Sequence, residues 1–276
     1  MLSTTEKLGF IWIYLYRSAK LLSRFKISLI VSFVAMFVQI SIFYYINKFV
    51  GTVPMYTDYF SYVIIGLAIN QLMQTTLTTY LQTMHNIYWS NWLEILLTSP
   101  VKTNTFFISV MIWNYLMVSI NIAFYLIIGI FVFHASFSIS VQSLLLLLPI
   151  IVLLIISLSG IGLISASMFM LANAKGNIEP IGWAMTTLTG LVAGVYFPPD
   201  YLPTIIQSIS KILPQTYAIN AIRGILINRE EITSSDIQVS IFYLVIFSII
   251  FLPVGIWMFN LGIKKAEREG TLARWT

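Results

Sequence analysis

The chain offers few groups capable of covalent or metal chemistry. It has two histidines, His85 and His134, and no cysteine. A zinc site needs three or four converging ligands. His85 and His134 fall at opposite ends of the apolar pattern, so both read as ordinary interfacial side chains. Zero cysteine excludes disulfides, thiolate ligation and cysteine catalysis. No glycine precedes a lysine anywhere in the chain, which leaves no phosphate-cradling loop and predicts that this polypeptide does not hydrolyse ATP by itself. The carboxylates Asp200, Glu230, Glu231 and Asp236 are the only acids close enough in sequence to converge as a membrane-embedded lipid-modifying enzyme would require; the competing reading is solvated loop acids. Asp, Glu, Lys and Arg are missing from the middle of every long apolar run, where ion-coupled carriers and proton pumps usually keep a charge.

The elements that must carry these residues are set by composition. Of 276 residues, 58% are hydrophobic and 9% charged, against about 25% charged in soluble domains. Runs of about 20 apolar residues are long enough to cross a bilayer. The expected fold is an all-α integral membrane domain over 1–276 with six transmembrane helices at 27–46, 59–84, 106–133, 144–171, 181–197 and 239–263. Residues 1–26 mix Leu8, Ile11, Trp12, Leu15 and Leu22 with Lys7, Arg17, Lys20 and Arg24 at helical spacing, an amphipathic interfacial helix. The first span begins near Ile27 and is too long for the core of a cleavable signal peptide, so it is expected to be retained. Pro198, Pro199, Pro203 and Pro214 punctuate 198–235, read as an external re-entrant helical hairpin before the last span. Residues 264–276 form a tail.

Three helix faces stand out. In the second span, Ile69, Met73, Leu77, Tyr80 and Met84 make an apolar stripe, while Asn70, Gln71, Gln74, Thr75, Thr78, Thr79 and Gln82 fill the opposite half. Polar groups in hydrocarbon need partners or water, so this half is expected to avoid lipid, either lining a substrate path or bonding neighbouring helices. In the fifth span, Gly182, Thr186, Gly190 and Gly194 recur every four residues, a small-residue stripe suited either to a subunit contact or to packing within one chain. Between the second and third spans, Trp92, Leu93, Leu96 and Leu97 flank Glu94 ahead of Pro100. This amphipathic knob fits either a partner's groove or the headgroup layer.

Inner loops of membrane proteins carry excess Lys and Arg. With the N-terminus inside, Lys7, Arg17, Lys20, Arg24, Lys26, Lys102, Lys175, Lys264, Lys265, Arg268 and Arg274 are cytoplasmic. Lys48, Lys211, Arg223 and Arg229 remain outside, eleven against four of the 15. Both termini are therefore expected in the cytoplasm of a cell bounded by this membrane.

Glu94-Ile-Leu-Leu-Thr-Ser-Pro100-Val resembles the acidic-Leu-Leu-x-x-Pro signature that follows the second span in type-2 ATP-binding-cassette (ABC) exporter permeases. Phe197-Pro-Pro-Asp-Tyr-Leu-Pro203, Leu213-Pro-Gln-Thr-Tyr217 and Ala221-Ile-Arg223-Gly are similar to that family's proline-bounded external hairpin. The N-terminal amphipathic helix adds a third likeness. The resemblance implies a permease that pairs with a second copy of itself or a related chain and is driven by two separate ABC ATPase subunits. ATP and magnesium would sit on those subunits, with no cofactor on this chain and no nucleic-acid partner. It further implies that Trp92, Glu94, Leu97 and Pro100 form the ATPase-coupling helix, with Trp12, Tyr16 and Arg17 in a second contact surface. The pathway would be lined by Asn70, Gln74, Thr78, Trp183 and Thr187, and Gly182, Gly190 and Gly194 would serve dimer or helix packing. The segment Leu22-Ser-Arg24-Phe-Lys26 departs from the strongly basic element common in polysaccharide exporters. The implied cargo is accordingly amphipathic, drug-like or lipid-like, with lipid-linked polysaccharide as the alternative and plasma membrane as the location.

Overall fold

The computed structural model describes residues 4–50, 59–89, 103–137, 140–171, 180–232 and 234–268. These are almost entirely helical: α1 (Thr4–Arg24), α2 (Lys26–Val50), α3 (Tyr59–Trp89), α4 (Thr103–Phe131), α5 (Val141–Leu171), α6 (Pro180–Val192), a 3₁₀ turn (Pro199–Tyr201), α7 (Thr204–Ser210), α8 (Pro214–Leu226) and α9 (Ser235–Arg268). Four of them, α2, α4, α5 and α9, are both long and apolar enough to cross a membrane. Helix α3 matches α5 in length at 31 residues, about 46 Å at 1.5 Å per residue, but its Asn, Gln and Thr residues dilute its hydropathy.

Glu6 in the first turn of α1 and Arg24 in its last complement the helix dipole. A break at Phe25 separates α1 from α2, and α1 turns back to place Tyr14 edge-on against Phe106 of α4, 6.0 Å between centroids. Helix α5 starts where Ser140 caps it, its hydroxyl accepting the Ser143 N–H at 3.0 Å, which satisfies one of the orphan donors of a helix start.

The fifth apolar segment departs from expectation. A helix was expected through residue 197, yet α6 ends at Val192 after 13 residues, and Gly194 takes a positive φ of 86°. Side chains with a Cβ rarely adopt that conformation. Gly194 therefore does not continue the stripe of Gly182, Thr186 and Gly190 along a helix; it turns the chain at the helix end. About 20 Å of helix is shorter than the hydrocarbon core.

Helix α3 occupies the centre. Its stripe Ile69, Met73, Leu77, Tyr80 and Met84 is buried among residues of α5, α6, α8 and α9 in one core cluster and of α4, α5 and α9 in another. The apolar stripe thus meets protein, while Asn70, Gln74 and Thr78 on the polar half are only half-buried. Periodicity reports that a face is apolar, and both lipid and a protein core satisfy it.

Helices α5 and α9 form the closest pair. A Cβ on Gly160 would overlap the carbonyl group of Phe251, and one on Gly255 would overlap the Gly160 carbonyl oxygen. Pro149 and Pro253 lie inside these two helices, and Lys265 at the end of α9 donates to the Leu171 carbonyl at the end of α5, 2.8 Å away. Helix α2 is attached along one narrow stripe: Phe33 on Phe124, Phe37 on Phe133, Ile40, and Tyr44 between Phe60 and Phe133. Beside it runs a polar chain across three helices, Gln71 Nε2 to Tyr125 Oη at 3.5 Å and Tyr125 O–H to Gln39 Oε1 at 2.7 Å. Interhelical hydrogen bonds in membranes contribute about 0.6 kcal/mol on average and about 1.7 at most. Gln39→Leu is expected to destabilise by about 1 kcal/mol, read as a lowered thermal midpoint of the detergent-solubilised protein.

Candidate functional site

The polar half of α3 divides between two neighbours. On one flank Thr79 Oγ1 accepts from Asn114 Nδ2 at 3.1 Å, and Tyr115 O–H donates to Thr76 Oγ1 at 3.3 Å, so these threonines join α3 to α4. On the other flank Gln74 Nε2 donates to the Thr186 carbonyl of α6 at 3.0 Å and lies 3.4 Å from Asn70 Oδ1. Thr78 O–H folds back onto the Gln74 carbonyl at 2.8 Å. Asn70, Gln74 and Thr78 are half-buried, and Thr187 of α6 is exposed. Asn70, Gln74 and Thr78 therefore form one row along α3, joined to α6 through Gln74. The side chains of Trp183 and Gly182's surroundings lie outside the described residues, as do Trp92, Glu94, Leu97 and Pro100.

Trp12 and Tyr16 project from α1 at 70% and 62% exposure, and Arg17 is exposed beside them. A Cβ on Gly190 would meet only the Tyr196 ring of the same chain, at 3.4 Å. Among the described residues no three His, Asp or Glu are placed to hold a metal. His85 stacks obliquely on Phe169, while Glu230 and Glu231 line a common cavity. The α3–α6 row carries amides and hydroxyls and no charge. These groups can donate and accept hydrogen bonds, and those they make in the structure are within the chain.

Sequence reasoning passed over Arg223, counted above as an external surface cation. It is 4% exposed. Its Nη1 donates to the Gly194 carbonyl and its Nη2 to those of Val195 and Tyr62, at 2.8 and 3.0 Å for the last two. Nε reaches the Tyr62 carbonyl at 3.2 Å, and the guanidinium lies 3.4 Å above the Tyr62 ring centroid. The reason lies in the early end of α6. Residues 193–195 are buried but no longer helical, so their carbonyls have no ladder, and buried backbone groups must find partners. Arg223 supplies them, and Tyr62 O–H adds a bond to Gly194 at 3.1 Å. Gly66 completes the fit, because a Cβ there would overlap both the Val195 carbonyl oxygen and the guanidinium. One signal was available: an arginine inside the otherwise apolar Ala221-Ile-Arg-Gly-Ile-Leu226 is out of place on a merely solvated surface.

An all-helical core around a central helix, flanked by apolar helices of membrane-spanning length, is the architecture of an integral membrane protein. The ABC-2 type transporter family model matches residues 10–227, and the chain belongs to that family. Its members are membrane subunits of ATP-binding-cassette transporters, not enzymes on their own, and normally work with ATP-binding subunits. No curated protein matches the chain significantly.

Proposed function

We propose that this chain is the permease half of an ATP-driven exporter, acting as a dimer with a second copy of itself or a related permease and with two separate ATPase subunits that bind ATP and magnesium. In this reading six spans cross the plasma membrane with both termini cytoplasmic: α2, α3, α4, α5, the short α6 completed by the 193–197 turn, and α9, with α7 and α8 forming the external hairpin. The observation that carries it is the uncharged row Asn70, Gln74 and Thr78 along α3, joined to α6 through Gln74, with Thr187 of α6 exposed, in a chain of the ABC-2 family.

A neutral hydrogen-bonding row among apolar helices suits an amphipathic cargo, drug-like or lipid-like, better than an ion. The ATPase would push on Trp92, Glu94, Leu97 and Pro100, steadied by Trp12, Tyr16 and Arg17, and ATP-driven closure would swing the dimer from inward to outward opening. The test is cargo movement in vesicles holding this chain and its ATPase. Transport is expected to require ATP and both proteins, and Glu94→Arg with Leu97→Asp is expected to abolish ATPase assembly. Transport by the permease alone, or a fully assembled and active double variant, would remove the proposal.

A further inference from the structure

Helix α6 is held unevenly along its length. Residues 184–188 are all half-buried or exposed, whereas residues 192–195 are all buried. The buried end is fastened by Arg223, whose guanidinium serves the Gly194 and Val195 carbonyls. Those carbonyls lie beyond the helix, so releasing them would strip buried acceptors of their donors. The chain turns at the same point through the positive φ of Gly194, and a glycine at a helix end absorbs backbone rotation at low cost.

Along the shaft the attachment is lighter. Met185 and Leu188 pack against the main core only partly buried. Gln74 Nε2 of α3 donates to the Thr186 carbonyl at 3.0 Å, and Gln215 Nε2 of α8 donates to Thr189 Oγ1 at 3.2 Å. Neither bond is needed to satisfy α6 itself. The Thr186 carbonyl lies within the helix ladder, and the Thr189 hydroxyl donates to the Met185 carbonyl at 2.6 Å. Gln74 also has a substitute partner in Asn70 Oδ1, 3.4 Å away. The Gln215 contact carries a defect: the side chain is fully buried, yet its Oε1 has no hydrogen-bond partner among the described residues. An unsatisfied buried acceptor raises the energy of the arrangement that contains it.

We propose that α6 is a hinged strap that swings about the Gly194 turn, with Arg223 as its fixed pivot and the Gln74 bond to Thr186 as its latch. Opening moves residues 184–188 away from α3 and frees the Gln74 amide to face the space between the two helices. The use of this motion to pass cargo rests on the permease reading; the motion itself does not.

Hydrogen exchange of the full chain in non-ionic detergent, read by mass spectrometry, tests the hinge without an ATPase. The backbone amides of 184–189 are expected to exchange roughly tenfold faster than those of 154–163 in α5. Methionine keeps the length of glutamine and deletes its amide. Gln74→Met is expected to speed exchange in 184–189 about fivefold and leave α5 unchanged. Gln215→Met removes the unpaired acceptor along with one bond, and is expected to slow the same amides about threefold. Exchange of 184–189 as slow as that of α5, or equal acceleration of both helices by Gln74→Met, would overturn the hinge. No change with Gln74→Met, or acceleration by Gln215→Met, would overturn the latch and leave both amides as ordinary structural bonds. A hinge that passes these measurements in a chain that moves no cargo with its ATPase would stand, and only the permease reading would fall.

Discussion

Arg223→Leu is expected to destabilise the protein by about 3 kcal/mol, since leaving a buried acceptor unpaired costs about 1–3 kcal/mol per group and the substitution takes the guanidinium donors from the Val195 carbonyl and from the Gly194 carbonyl, which keeps only the Tyr62 hydroxyl. The Tyr62 carbonyl lies within α3 and keeps its helical partner, so it adds less. The loss falls where the chain has left helix but has not left the core. Arg223→Lys keeps the charge but replaces a planar fork by one ammonium, which cannot serve three carbonyls in the same geometry; an intermediate loss is expected. Tyr62→Phe keeps the ring under the cation and removes only the 3.1 Å bond to Gly194, so it should cost about 1 kcal/mol. Thermal unfolding of the purified protein orders the three variants. A leucine variant as stable as the parent would show that the 193–195 backbone has other partners.

The second large effect reverses the usual rule for helices. Replacing a helix-interior glycine by alanine ordinarily stabilises by about 0.5–1 kcal/mol. Gly9 in α1 has nothing within 4 Å of an added Cβ, and Gly9→Ala is expected to follow that rule. Gly160→Ala is expected to do the opposite, destabilising by about 1–3 kcal/mol, because its Cβ would overlap the Phe251 backbone. Backbone has no rotamer to yield, so α5 and α9 must separate. Separation would also strain the Lys265 bond to Leu171 at one end of the pair. Opposite signs for these two substitutions, measured in the same detergent, would establish that the small residue at 160 serves helix contact and not flexibility. A stabilised Gly160→Ala would mean that the two helices are not held so closely.

The glycines illustrate what spacing conveys. The stripe legible in the sequence, Gly182, Gly190 and Gly194, is interrupted, because Gly194 turns the chain beyond α6. The two glycines at which α5 and α9 meet backbone to backbone are Gly160 and Gly255, which are far apart in sequence. A small-residue period marks where close approach is possible along one helix. Which partner arrives there is a property of two helices.

The sequence by itself determined membrane residence, the absence of a nucleotide-cradling loop, and the family signature, because each depends on composition or on residues adjacent in the chain. It also placed the row Asn70, Gln74 and Thr78 on one face, since helical periodicity is local. Only the tertiary structure decided that the apolar face opposite is core and not lipid-facing, that α3 meets α6 through Gln74, and that Arg223 is an internal fastener. Those outcomes join residues separated by 112 positions in one case and 161 in another. Hydropathy distinguishes water from hydrocarbon, but lipid and a packed protein interior look alike to it. The groups with no chemistry to offer were legible at once, while the charge that matters most to the core was hidden among residues that read as surface.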